Sequence, residues 1–155
     1  MQKIRPCLWF DGTAEEAVNY YLTVFQGNIT HTYLCGESGP GPKGSVLALD
    51  FELEGQAFMA LNGGPMYQLT PAISLFVGCA DQREVDTYWD KLAADGGMQQ
   101  CGWVTDKFGV TWQIVPPGLN DYLFGNDGKK SQQAMEAMLQ MQKLDIGRIK
   151  NAYDR

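Results

Sequence analysis

Cys101-Gly102-Trp103-Val104-Thr105-Asp106-Lys107-Phe108-Gly109-Val110-Thr111-Trp112-Gln113-Ile114-Val115-Pro116 reads as a β-hairpin. Cys101 to Thr105 forms one short strand, Asp106 to Gly109 the turn, and Val110 to Val115 the second strand. Asp and Gly supply turn chemistry, while Val, Thr, Trp and Ile suit a pleated, half-buried surface. The second strand alternates, so Val110, Trp112 and Ile114 share one face and Thr111 and Gln113 the other. The apolar face is expected to pack on helices. Gln113 is then a neutral polar group near the end of a buried strand, and what it points at decides the chemistry.

Working back along the chain, Ile4 to Phe10 reads as the first strand. Thr13-Ala14-Glu15-Glu16 has the form of a capping box that opens a helix with its apolar stripe on Ala14, Ala17, Val18, Tyr21 and Phe25. Further strands are expected over Asn28–Cys35, Ser45–Leu53, Gln56–Leu61 and Pro71–Cys79. The Gly-rich stretch 36–44 lacks phosphate-loop spacing and reads as a solvated connection or a flap. Asp81-Gln82-Arg83-Glu84 is a second capping box, followed by the stripe Val85, Tyr88, Trp89 and Leu92. After Pro116-Pro117 the pattern turns helical: a turn over Leu119–Phe124, a Met-rich helix over Ser131–Lys143, and a last helix capped by Asp145. The Met stripe is a packing face, within the chain or across a dimer.

The two halves resemble each other. Glu16 to Tyr21 matches Glu84 to Trp89, and Gly55 to Leu61 matches Gly109 to Val115 in pattern. The fold class expected is α+β: paired βαβββ modules building a curved, mostly antiparallel sheet with a concave cup, plus C-terminal helices. Residues 1–118 form that domain, in modules of about 1–66 and 67–118, and residues 119–155 a helical extension. Such a module cannot bury both faces of its sheet alone, so the concave front is the natural ligand site.

The chain has 155 residues, 45% of them hydrophobic, and a formal net charge of −6. The Lys and Arg residues form no block, which argues against nucleic acid as a partner. No apolar run approaches the roughly 20 residues of a membrane helix, and the N-terminal stretch has no signal-peptide character, so a cytoplasmic protein without membrane partners is expected. The four cysteines make no C-x-x-C pair and read as reduced, buried thiols.

Leu8-Trp9-Phe10-Asp11-Gly12, Phe58 to Gly64, Val85 to Trp89 and Gln100 to Pro116 together resemble the PhnB-like family. Its members often carry the label 3-demethylubiquinone-9 3-methyltransferase. The Met-rich stretch Met135 to Leu139 shares the resemblance. That family lies in the vicinal oxygen chelate superfamily, with glyoxalase I and the bleomycin and fosfomycin resistance proteins. The resemblance implies the paired βαβββ modules and a homodimer. A common S-adenosylmethionine enzyme would instead have a parallel sheet and a Gly-rich turn between its first strand and helix, and this chain has neither pattern.

Active superfamily members hold a divalent metal through His, Glu or Gln from four strands, for Lewis-acid work on adjacent substrate oxygens. By strand order those positions fall near Pro6, Cys7 and Leu8, near Ala60, Leu61 and Asn62, at Ile73 and Ser74, and at Gln113. No His or Glu stands at any of them, and the chain's one histidine, His31, is off the pattern. Only Gln113 survives as a donor, and a lone amide does not hold a metal. No metal and no cofactor are therefore expected. The candidate cup residues are Gln113, Asn62, Trp103, Trp9, Cys7 and Thr111. Gln113 is a satisfied amide or a ligand's hydrogen-bond partner, Asn62 fixes a turn or reaches the cup, and Trp9 and Trp103 pack or stack on a planar ligand. Trp89 and Trp112 are expected in the core, Asp106 as a turn former, and Cys7 as an unreactive thiol.

The first expectation is thus a metal-free binding module for a small organic ligand, favoured by the apolar residues Ile73, Leu75 and Val77. The second is an enzyme of the same fold, with Gln113, Asn62 or Cys7 in polar roles. The third is a structural or regulatory homodimer whose cup is filled by Leu8, Phe10 and Leu75.

Overall fold

A computed structural model of the chain describes residues 2–155. Its elements run β1 (Cys7–Phe10), α1 (Ala14–Val24), β2 (Gly27–Leu34), β3 (Val46–Leu53) and β4 (Gln56–Asn62). They continue with β5 (Leu75–Gly78), α2 (Gln82–Ala93), β6 (Gly97–Met98), β7 (Trp103–Thr105) and β8 (Thr111–Val115). Three helices end the chain: α3 (Leu119–Leu123), α4 (Gly128–Leu139) and α5 (Ile146–Tyr153). The chain divides into two compact units, Met1–Leu69 and Thr70–Arg155.

The repeat seen in the sequence is a repeat of topology. The first unit holds a four-stranded sheet in the order β1-β4-β3-β2, and the second one in the order β5-β8-β7-β6. In each, the first strand pairs parallel with the last and the other pairings are antiparallel. Paired βαβββ modules of an α+β fold are therefore what the chain builds.

In the first unit α1 covers one face of the sheet. Ala14, Ala17, Val18 and Tyr21 on the helix are fully buried, and Leu49, Phe51, Phe58 and Ala60 meet them from the strands. Phe51 and Phe58 are register partners and stack at 5.3 Å. Burying each such large side chain contributes about 1.5–3 kcal/mol. In the second unit α2 plays the same part, with Val85, Trp89 and Leu92 buried, and Val104, Trp112 and Ile114 facing it from the sheet. Trp89 and Trp112 are core residues, as their spacing predicts.

The extension is part of the second unit. Leu119, Leu123, Ala134, Met141, Leu144 and Ile149 make one buried cluster, and Met135 and Met138 pack against it. The Met stripe thus packs within the chain, except that Leu139 is exposed. The extension is also hydrogen-bonded to the hairpin: Cys101 N donates to Met141 O at 2.8 Å and Gly102 N to Gln142 O at 2.7 Å.

Several local expectations need correction: the first strand starts at Cys7 and not at Ile4, and the Met-rich helix spans Gly128–Leu139 and not Ser131–Lys143. Thr13 makes no side-chain cap on α1. The cap comes from far along the chain, where Asn62 Oδ1 accepts from Ala14 N at 2.9 Å. The second capping box forms, with Asp81 Oδ1 accepting from Glu84 N and Glu84 Oε2 from Ala80 N. β5 is also shorter than the apolar run suggests: it begins at Leu75, leaving Pro71 to Ser74 outside it and Ile73 exposed.

Candidate functional site

Strand register settles which side chains share a face. In the second unit Gln113 lies between Phe76 on β5 and Trp103 on β7, its register partners on either side. All three point away from α2, because Leu75, Val77, Val104, Trp112 and Ile114 take the alternate positions. Leu75 and Val77 therefore face the helix side and not the Gln113 side, which corrects their assignment to the cup. Phe76 takes their place. It is 64% exposed.

Gln113 is half-buried, and its Nε2 donates to Ser74 Oγ at 2.9 Å. These are the two polar residues that strand order placed at metal-ligand positions in this half, and here they bond to each other. Thr111 is buried on the same face and its hydroxyl is 3.0 Å from that of Thr105, which also accepts from Gln99 Nε2. Thr111 thus belongs to a closed polar network beside the site.

A cleft of about 550 Å³ opens over this face. Phe76, Gln113 and Trp103 line its sheet side, Pro116 to Asp121 one flank, and Met138 and Leu144 another. Cys79 and Cys101 also reach it. Burial pushes the Cys79 thiol up to about 11, so it is protonated at neutral pH. Among the described residues the lining holds one carboxylate, Asp121, and no Lys, Arg or His.

The first unit has a corresponding row. Met59 occupies the repeat position of Gln113, and its register partners are Cys7 on β1 and Asp50 on β3, with His31 opposite Asp50 on β2. Trp9 and Leu61 share that face. Leu8, Phe10 and Ala60 are on the other, buried under α1, so Leu8 and Phe10 are not available to fill a cup. Asn62 also lies on the helix side. Both its amide groups are occupied, since Nδ2 donates to Val46 O at 3.0 Å while Oδ1 caps α1. It fixes local structure.

Trp9 is pinned as well. Its Nε1 donates to Gly64 O at 2.8 Å and its ring meets Tyr67 edge-on at 4.9 Å. Gly63 is needed beneath it, because a Cβ there would fall 2.4 Å from the indole. Cys7 is exposed and Cys101 half-buried, which corrects their reading as buried thiols; the Cys7 thiol is held above its ordinary pKa by desolvation, with Arg5 lowering it and Asp50 raising it. It is a thiol, not a thiolate, at neutral pH. Asp50 accepts from the Tyr33 hydroxyl at 2.8 Å and pairs with Arg5 at 3.1 Å. A second cleft, about 440 Å³, lies in this unit between Asp11, Glu15, Cys35, Pro42 and Gly63, with the loop after β2 as one wall.

Sequence reasoning missed Phe76, Met59 and the Arg5–Asp50–Tyr33 group. The parity of Leu75-Phe76-Val77 against Trp112-Gln113-Ile114 carried the signal for Phe76. The sequence held no local signal for the walls that Asp121, Met138 and Leu144 supply.

The sequence profile described as 3-demethylubiquinone-9 3-methyltransferase matches residues 2–115. The chain belongs to that family. A putative 3-demethylubiquinone-9 3-methyltransferase, PhnB protein, from Bacillus cereus is 39% identical, and the match covers 74% of this chain and 99% of that one with a TM-score of 0.69. A Pseudomonas aeruginosa protein at 24% identity matches over 75% of this chain and 98% of its own, with a TM-score of 0.64. The fosfomycin resistance protein FosX from Listeria monocytogenes, solved with Mn(II) and sulfate, shares the fold at 13% identity and a TM-score of 0.55, over 80% of this chain and 98% of its own. No curated protein matches the chain.

A metal of the kind seen in that Listeria protein does not fit this family member's donors. The register puts a thiol and a thioether, Cys7 and Met59, in the first unit, and an amide already bonded to a hydroxyl in the second. Among the described residues no three His, Cys, Asp or Glu side chains are placed to hold a metal ion. Hard divalent cations need several carboxylate or imidazole donors; in the first unit's row Asp50 is already held by Arg5 and Tyr33, and His31 stands beyond it on β2.

Proposed function

We propose that this family member is a metal-free binding protein for a small organic ligand, held in the Gln113 cleft. The observation that supports it most is the row Phe76–Gln113–Trp103: two exposed or half-exposed aromatics flank one amide at the base of a cleft of about 550 Å³. Pockets for small molecules combine apolar and aromatic walls with a few fixed polar groups, and this row has both. The aromatic faces would stack on a planar ligand, and Gln113 would exchange its Ser74 partner for a ligand acceptor, or keep it and present its carbonyl oxygen. The homodimer and the cytoplasmic location implied above are part of the same proposal, the first read out by light scattering.

The second reading is an enzyme of the same family, favoured by the family's own description. It needs a group that can transfer a proton or attack. In the Gln113 cleft the candidates are Asp121, Cys101 and Cys79, and Cys79 is protonated at neutral pH.

The test couples two measurements on untagged protein purified without chelator. Elemental analysis is expected to find far less than one metal per chain. A thermal-shift screen of planar aromatic compounds is expected to find ligands whose effect disappears in Gln113→Ala and Trp103→Phe. One equivalent of a transition metal, or a metal required for ligand binding, would overturn the proposal.

A further inference from the structure

The residues that close the Gln113 cleft come largely from outside the family match. The profile ends at residue 115, short of the Met-rich stretch whose resemblance to the family the sequence suggests, and about three quarters of this chain, 74%, already accounts for 99% of the Bacillus protein. Asp121, Met138 and Leu144 all lie in the extension beyond that point and all line the cleft.

The placement of Met138 and Leu144 is fixed by several bonds from the βαβββ module. Gln82 Nε2 on α2 donates to Leu144 O at 2.8 Å, and Gln82 Oε1 accepts from Ile146 N at 2.9 Å. Cys101 and Gly102 hold the carbonyls of Met141 and Gln142, and Cys101 Sγ lies 3.8 Å from Met138 O. Lys143 adds an ion pair to Asp86 at 3.1 Å. Met138 and Leu144 are thus held on the same hairpin that carries Trp103 and Gln113. They form a built wall rather than a loosely docked tail.

The charge of this cleft is one-sided. Asp121 is its carboxylate and makes no ion pair among the described residues. Among the described residues no cationic side chain lines the cleft, so an anionic ligand would be desolvated against its apolar walls without a neutralising partner there. A cation finds three favourable surroundings: the carboxylate of Asp121 and the aromatic faces of Trp103 and Phe76.

We propose that the C-terminal extension is the specificity element of this cleft, and that it selects a planar aromatic cation, such as an arylalkyl ammonium, over an aromatic anion. The proposal rests on the reading of the Gln113 cleft as a small-molecule site. Asp121 sets the preference for charge, and Met138 supplies apolar contact that adapts to the ring.

Full-length protein is titrated by calorimetry with naphthylmethylammonium, naphthamide and naphthoate, three probes of one shape and different charge. The ammonium is expected to bind more tightly than the carboxylate by about fivefold, the size expected for one partly exposed charge. Asp121→Asn is expected to abolish most of that ratio and Asp121→Lys to invert it, both at unchanged melting temperature because Asp121 is exposed. Met138→Ala is expected to weaken all three probes and leave the ratio alone. Tighter binding of naphthoate, or a ratio indifferent to both Asp121 variants, would overturn the proposal. If Trp103→Phe and Gln113→Ala still weaken the probes in that case, the cleft reading stands and only the role of the extension falls. If no probe binds, or binding ignores Trp103 and Gln113, both fall.

Discussion

The carboxylate of Asp106 holds the indole of Trp112: Oδ2 accepts from Nε1 at 2.8 Å, inside the hairpin that organises the second unit. The other oxygen, Oδ1, accepts from Phe108 N at 2.8 Å and Val110 N at 3.1 Å. Asp106 is only 3% exposed. One side chain therefore shapes the turn and fixes the rotamer of a core tryptophan, and Trp112 in turn sets the phase that leaves Gln113 on the cleft side.

The first prediction follows from that bond. Asp106→Asn keeps the shape but must turn an NH2 group towards either the indole N–H or the two backbone N–H groups. One set of donors then loses its acceptor in a buried place, at a cost of about 1–3 kcal/mol. Asp106→Ala strands all three donors and is expected to cost more. Urea unfolding measures both. A loss below half a kcal/mol for the alanine variant would contradict the role given to Asp106.

A second prediction separates two residues that sequence spacing ranks in the wrong order. Asn62→Ala removes the cap on α1 and the bond to Val46 O together, and is expected to destabilise by about 1–2 kcal/mol. Thr13→Ala removes a side chain that makes no cap bond, so its cost is expected to stay within about half a kcal/mol, the usual range for surface changes. Equal losses would mean that Thr13 caps the helix in solution.

How far the sequence could be read is visible in such pairs. Periodicity gave the two modules, the helices and the buried tryptophans, because apolar spacing reports which face is covered. It placed Gln113 off the helix side for the same reason. A cap drawn from a residue about fifty positions away, as Asn62 caps Ala14, leaves no local pattern. Ile73 looked like strand because apolar runs do not say where pairing stops. Leu75 and Val77 lie in a short apolar run without alternation, so only their pairing with Trp112 and Ile114 fixes their phase. The cleft walls were illegible because Met138 and Leu144 reach the hairpin through tertiary bonds.

Cys79 gives a prediction in pH. Its thiol rises from an ordinary 9.0 to about 11 in the folded chain. The unfolded chain therefore loses this proton first as pH increases, and binds fewer protons than the native state across that window. Stability from Cys79 is fully present below pH 9.0 and falls as pH rises towards about 11. Chemical unfolding of wild type and Cys79→Ala at a series of pH values is expected to give a difference that is flat below the window and shrinks through it. A difference that grows with pH would reverse the sign and refute the burial argument.

The last prediction concerns the clamp that seats the extension. Gln82 is the residue of α2 whose amide bonds both the carbonyl before α5 and an N–H of its first turn. Gln82→Glu retains an acceptor for Ile146 N but loses the donor to Leu144 O, and sets a carboxylate near that carbonyl and Asp86, the present partner of Nε2. Gln82→Ala loses these two bonds and the one to Asp86. Each interaction contributes about 1 kcal/mol, so the alanine variant is expected to lose about 3 kcal/mol or less. The glutamate variant faces added repulsion, so its loss is expected to match or exceed that of alanine at neutral pH and to ease in acid, as the new carboxyl is protonated. Hydrogen exchange locates the effect: faster exchange is expected at Ile146 and through α5, with β3 and β4 unchanged. Uniform acceleration across both units would show that Gln82 acts on global stability and not on the seating of Leu144.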